Sequence, residues 1–168
     1  MTNNFVCDKY KEYIKQAKAP SYDRSKSPFT ILVDLDGTVA FSPHREWWEN
    51  EKVKDDQVNH NLIKLIDTFY QHPFHCVIYL TGRDESCRYV TESWMKSTGI
   101  AYDFLIMRPE GNTDKDDDLK ETLYHEHIEG HYNVIAVFED RPLVIKRFRE
   151  MGLFVLDVNQ MNNFKEIF

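Results

Sequence analysis

Residues 29–40 read FTILVDLDGTVA, an apolar run that stops on two carboxylates, Asp34 and Asp36, one residue apart. Phe29, Ile31, Leu32, Val33 and Leu35 put apolar side chains on both faces of a β-rich segment, the pattern of a central strand covered by helices on either side. Asp34 and Asp36 then fall at its carboxyl end, the edge at which open α/β sheets bind ligands. A side-chain period of two puts the pair on one side, where two carboxylates repel unless a cation or a shared proton relieves them. Gly37 lets the chain leave the strand in a conformation that other residues avoid. Taken alone, the pair is equally a strand ending in a solvated Asp-Gly turn. Its company along the chain decides between the two.

Downstream, strand and helix patterns alternate. Val58, Leu62, Leu65, Ile66 and Phe69 recur at helical spacing, predicting an amphipathic helix over 58–72. Residues 74–80 (FHCVIYL) predict a second strand, halted by Thr81-Gly82-Arg83. A helix over 84–97 follows, ended by Gly99, then a third strand over 102–107 and the polar loop RPEGNTDKDDD. Residues 119–128 predict a helix, and 133–138 (NVIAVF) a fourth strand that halts on Glu139-Asp140-Arg141. Pro142 suits the first turn of a helix over 142–151, and 153–158 (LFVLDV) predict a fifth strand. Upstream, residues 5–18 read as a helix and 20–28 as a connector; residues 41–56, which include Trp47 and Trp48, show no clean period. This rhythm predicts an α/β fold, a Rossmann-like doubly wound sheet of about five parallel strands without a large cap domain. Residues 1–168 are expected to form one domain, with an N-terminal helix and connector (1–27), a core (28–158) and a C-terminal tail (159–168).

Composition narrows the function. A chain of 168 residues can bury a real core. It shows no apolar run near the ~18 residues that span a bilayer, and its first residues lack a secretory core, so no membrane partner is expected. Three cysteines without paired metal spacing fit a reducing, cytoplasmic setting. A net charge of −7 argues against a broad basic surface tracking a long nucleic acid, though not against a local positive pocket.

The first four predicted strand ends carry chemistry: Asp34 and Asp36 at the first, Thr81, Gly82 and Arg83 at the second, Arg108 followed by Lys115 at the third, Glu139 and Asp140 at the fourth. Parallel strands bring these ends to one rim. The stretches DLDGTVA, LTGRDES, the lysine in GNTDKDDD and the acidic pair in FEDRP resemble the four motifs of the haloacid dehalogenase superfamily of phosphotransferases. More closely, TGRDES, MRPEGNTDKDDDLKETLYHEHI and FEDRPLVIKRFREMGLFVLDV resemble the 3'-phosphatase domain of bacteriophage polynucleotide kinase/phosphatase, in the same order and at similar spacing.

That resemblance implies a Mg²⁺-dependent phosphomonoesterase in which Asp34 is nucleophile and metal ligand, and Asp36 is general acid and base with its backbone carbonyl on the metal. It implies that Thr81 and the Gly82 amide bind the phosphoryl oxygens, that Lys115 carries the positive charge over the transferring group, and that Asp140 completes the metal site. Glu139 stands where the family commonly has aspartate and is expected to support the metal or orient Lys115. Arg45, Arg83 and Arg108 match arginines of the phage domain and are expected to contact phosphate. Trp47 and Trp48 fall in the superfamily's flap region, to stack on a base or pack the flap.

Other patterns lead nowhere. His125, His127 and His131 lack a third metal ligand in register, and Asp114, Asp116 and Asp118 lack the glycine of a calcium loop and read as a solvated acidic helix start. No G-x-x-x-x-G-K-[ST] occurs, so no kinase half is expected. Only 45 residues separate Asp36 from Thr81, leaving no room for a folded cap. An open site favours a bulky substrate such as a phosphorylated nucleic-acid end. Mononucleotides or other small phosphoesters are the alternative substrates, and a phosphate- or nucleic-acid-binding module without turnover is the alternative class.

Overall fold

The chain alternates as its apolar pattern requires: β1 (Phe29–Val33), β2 (Ala40–Phe41), β3 (Gln57–Val58), α1 (His60–Tyr70), β4 (His75–Asp84), α2 (Arg88–Ser97), β5 (Phe104–Arg108), α3 (Asp116–His127), β6 (Asn133–Glu139), α4 (Pro142–Glu150) and β7 (Val155–Asp157). This is a computed structural model that describes residues 28–42 and 49–159. The helix expected over 5–18, its connector, Arg45, Trp47, Trp48 and residues 160–168 lie outside the described residues.

Five strands form one sheet in the order β5-β4-β1-β6-β7, with every neighbouring pair parallel. The chain moves from β1 to β4 and β5 on one side, then returns to β6 and β7 on the other. The carboxyl end of β1 therefore lies at the point where the winding reverses, which is where such sheets hold ligands. The strand period of two splits the core into two layers. Ile31, Val33, Val77 and Tyr79 face α1 and α2 through Leu62, Ile66, Trp94 and Met95. Leu32, Ile78, Leu80 and Val137 face α3 and α4 through Leu119, Leu123, Val144, Ile145 and Phe148. At about 1.5–3 kcal/mol for each fully buried aliphatic or aromatic side chain, these two layers are what fix β1 in the middle.

Three boundaries differ from the sequence expectation. β4 does not halt at Thr81; the chain stays extended through Gly82 and Arg83, and pairing with β5 resumes at Asp84↔Arg108 after a register shift. Helix α2 begins only at Arg88, after a 3-10 turn over Glu85–Cys87 in which the Ser86 amide donates to Asp84 Oδ1 (2.9 Å). Helix α3 begins at Asp116, three residues before the expected start. On either side of the undescribed residues 43–48, β2 pairs antiparallel with β3 and a 3-10 helix covers Asn50–Asp55. Among the described residues no helix is long and apolar enough to cross a membrane.

Candidate active site

The sheet register places the nucleophile expected from the sequence. Val33 pairs with Phe138 on one side and Tyr79 on the other, and the Asp34 amide continues the ladder by donating to the Phe138 carbonyl (3.0 Å). Asp34 therefore stands abreast of Glu139 and Asp140 although about a hundred residues separate them. Beyond it, the amides of Thr38, Val39 and Ala40 all donate to the Leu35 carbonyl, closing a tight turn. Gly37 sits in that turn at φ 91°, and a Cβ there would come within 2.0 Å of Asp140 Oδ2. Both the backbone angle and the approach of Asp140 demand glycine.

Lys115, the expected cation, does not reach this group. It is exposed at the N-cap of α3, and its carbonyl accepts from the Leu119 amide (2.8 Å). Lys120 takes the place instead, donating from Nζ to Asp34 Oδ1 (2.6 Å) and Glu139 Oε2 (2.8 Å). Its side chain is 1% exposed. The cause is helical phase: Lys120 shares the buried face of α3 with Leu119 and Leu123. Arg147 of α4 ties the outer face of the same helix through Asp117 (3.0 Å), Asp118 (2.8 Å) and Glu121. The signal in the sequence was a lysine among apolar positions at helical spacing. Burial alone would discharge Lys120, but Asp34, Glu139 and Asp116 around it outweigh that and hold its ammonium charged.

Glu139 is the orienter of this lysine. Its Oε2 takes Lys120, and its Oε1 accepts the Asp140 and Arg141 amides (3.1 Å each). The longer side chain that departs from the family's usual aspartate is thus engaged at both oxygens.

Asp36 is held by Arg83. The guanidinium clamps it through Nε to Oδ2 (2.8 Å) and Nη2 to Oδ1 (2.7 Å), and the same Nη2 reaches Asp56 Oδ2 (2.7 Å). Nη1 donates to Thr91 Oγ1 (3.4 Å), and the group lies 5.5 Å from the Trp94 ring centroid. Asp56 is itself fixed by Ser42 and offers its carbonyl to Trp94 Nε1 (3.0 Å). Arg83 was expected to contact phosphate; in this structure its guanidinium is engaged by Asp36, Asp56 and Thr91.

Thr81 is fully buried, and its hydroxyl accepts from the Arg83 amide (3.2 Å). Gly82 lies on the cavity wall in extended backbone rather than at a helix N-terminus. Arg108 also lines the cavity, but it fastens the loop after β5: Nε donates to the Gly82 carbonyl (2.9 Å), Nη1 to Asn112 Oδ1 (3.0 Å) and the Asp114 carbonyl (2.9 Å). Asp116, read from the sequence as a solvated helix start, is 14% exposed and paired with Arg108 and Arg141. Arg141 is a cavity residue that the sequence reading missed, because it looked like the tail of the acidic motif.

The donor set suits a hard cation. Asp34, Glu139 and Asp140 offer oxygens within 4.8 Å of one another, and Asp34 Oδ2 and Asp140 Oδ1 are buried without a hydrogen-bond partner among the described residues. Buried carboxylate oxygens left without a donor, on two residues of one acidic cluster, fit Mg²⁺. Burial, reinforced by the Asp34 charge, lifts the Asp140 carboxyl from 3.8 to about 6, and burial likewise lifts Asp34 against the pull of Lys120. A carboxyl raised on folding favours the fold while protonated; that stability is full below pH about 4 and lost as pH rises through about 6. Magnesium is therefore expected to raise the Tm clearly at about pH 8 and little at about pH 5, with a smaller increment in Asp140→Asn. Equal increments under all three conditions would take the cation away from this pair.

These groups open on a cavity of about 830 Å³ lined by Asp34, Asp36, Gly82, Arg108, Asp116 and Arg141 among others.

Residues 28–164 match the family model of the polynucleotide kinase PNKP phosphatase domain. An Autographa californica nuclear polyhedrosis virus protein, provisionally named a bifunctional polynucleotide kinase/RNA ligase, is 33% identical over 148 residues, covering 86% of this chain and 21% of that protein. A chain in the structure of the Pnkp1/Rnl/Hen1 RNA repair complex superposes with a TM-score of 0.77 at 28% identity, over 85% of this chain and 46% of that one. A haloacid dehalogenase-like hydrolase of Streptococcus pneumoniae shares the fold, with a TM-score of 0.53 at 13% identity over 77% of this chain and 84% of its own. The chain thus spans about a fifth of the viral relative and under half of the repair-complex chain.

Proposed function

Starting from a chain that belongs to the family of polynucleotide kinase PNKP phosphatase domains, within the haloacid dehalogenase superfamily, we propose a Mg²⁺-dependent phosphomonoesterase that removes 3'-phosphate from polynucleotide ends. The observation that carries the reading is Asp34, charge-paired to buried Lys120 at one oxygen and without a hydrogen-bond partner among the described residues at the other, with Asp36 clamped two residues on.

In this reading Asp34 attacks phosphorus, an Asp–O–P bond forms, and the bond from phosphorus to the ester oxygen breaks. Asp36 gives its proton to the departing alkoxide. It then takes one from the water that attacks the acyl phosphate, which releases inorganic phosphate and restores Asp34. Lys120 offsets the charge of Asp34, so that a phosphate dianion can approach. Asp34 and Asp140, with the Asp36 carbonyl, would hold Mg²⁺, whose part is to neutralise the phosphoryl oxygens. Glu139 supports this reading, since it serves Lys120 and does not mark a decayed site.

Polynucleotide ends are favoured by the family and by the open cavity. A mononucleotide substrate is the second reading, favoured by the net charge of −7 and by Asp84 and Asp114 on the cavity wall. The deciding assay offers 3'- and 5'-phosphorylated DNA and RNA oligomers and free 3'-nucleotides, with Mg²⁺ or chelator. Release of phosphate from 3'-ended oligomers, abolished by chelator and by Asp34→Asn, is expected. Hydrolysis of small phosphoesters alone would select the second reading, and binding without hydrolysis of any substrate would make the chain a non-catalytic module.

A further inference from the structure

Asp116 sits where an anion is wanted. Its Oδ1 accepts from Arg108 Nη2 (3.1 Å), and its Oδ2 lies 3.2 Å from Arg141 Nη1 and 3.8 Å from Lys120 Nζ. Beneath it is the bare Cα of Gly82: a Cβ there would meet Asp116 Oδ1 at 2.3 Å. Three cations around one carboxylate, resting on backbone without a side chain, are what a phosphoryl group would also seek.

The three cations differ in freedom. Lys120 is locked between Asp34 and Glu139, and Arg108 is locked to Gly82, Asn112 and Asp114. Arg141 is different: its side chain is 55% exposed at the cavity, and its ion pair here is with Asp116. An exposed guanidinium is free to change partners where a buried one is not.

We propose that Arg141 is a substrate-binding residue that passes from Asp116 to the phosphoryl oxygens of the incoming end, and that Asp116 is a positioning residue holding it in the empty site. The inference rests on the phosphatase reading and adds a selection rule to it. An incoming anion must outcompete Asp116 for Arg141. A terminal phosphomonoester, a dianion near pH 8, does so; an internal phosphodiester, with a single charge, does not. Asp116 thereby keeps the phosphodiesters of the same strand out of the pocket.

Steady-state kinetics on a 3'-phosphorylated oligonucleotide, with the hydroxyl-ended oligonucleotide of the same sequence as inhibitor, test this. Arg141→Ala is expected to raise KM about tenfold or more, with Arg141→Lys recovering part, both at the wild-type Tm. Asp116→Asn keeps an amide oxygen for Arg108 but releases Arg141, and should lower the Ki of the hydroxyl-ended strand about tenfold. Asp114→Asn removes the same charge from the cavity wall without touching Arg141, and should leave that Ki within about twofold. An active wild-type protein whose KM does not move in Arg141→Ala, or whose Ki falls equally in Asp114→Asn, overturns this inference alone. A wild-type protein that hydrolyses no phosphoester overturns the phosphatase reading, and the inference with it.

Discussion

Lys120→Met is expected to lower kcat by about 10²–10³ or more, while Lys115→Ala stays within about twofold of wild type. The difference follows from position: Lys120 Nζ touches Asp34 and Glu139, whereas Lys115 is exposed at the start of α3. Removing Lys120 also strands two buried carboxylates, and breaking a buried ion pair costs about 3–5 kcal/mol. A fall in Tm is therefore expected beside the loss of turnover, and the two have to be separated. The double variant Lys120→Met with Glu139→Gln removes one stranded charge along with the lysine. It should regain much of the Tm and none of the kcat. Activity returning together with stability would show that the lysine only holds the fold.

Replacing Arg83 should have an effect of comparable size, and its kinetic form distinguishes two roles. A phosphate contact would show as a raised KM, since the substrate loses a partner in ground and transition states alike. A clamp on the general acid would show as a kcat lowered by about 10²–10⁴ with KM little changed, because proton transfer fails when Asp36 is not aimed. The structure favours the second outcome, since the guanidinium is engaged by Asp36, Asp56 and Thr91. Arg83→Ala further leaves Asp56, 1% exposed at its side chain, without its buried partner, and should lower the Tm sharply. Asp56→Asn can still accept from Arg83, so it should keep most of the fold and most of kcat. Equal loss of activity in both variants would give Asp56 a part in the chemistry itself.

Both experiments fall where sequence and structure part company. The alternation of apolar runs with amphipathic stretches was enough to specify a parallel, doubly wound sheet, because apolar residues on both faces of residues 29–35 have no stable place except between two helical layers. Asp34, Asp36 and Asp140 were legible for the same reason: each lies within three residues beyond a strand's last residue, so its place on the rim depends on the strand alone. The choice of Lys120 over Lys115 was marked in the sequence only by Lys120 standing beside Leu119 and Leu123; that its Nζ reaches Asp34 and Glu139 was decided by the packing of α3 on the sheet. Asp116, Asp117 and Asp118, which stand in a polar loop by local pattern, are the first turn of α3. Nor could the partner of Arg83 be read, since Asp36 is 47 positions away and Asp56 is 27. Asp116 shows the same limit, being solvated by local pattern and enclosed in fact. Local pattern dictates which face of a strand or helix is apolar. Which charge meets which across the rim was decided only when helix phase and strand register were set together by packing of the two layers.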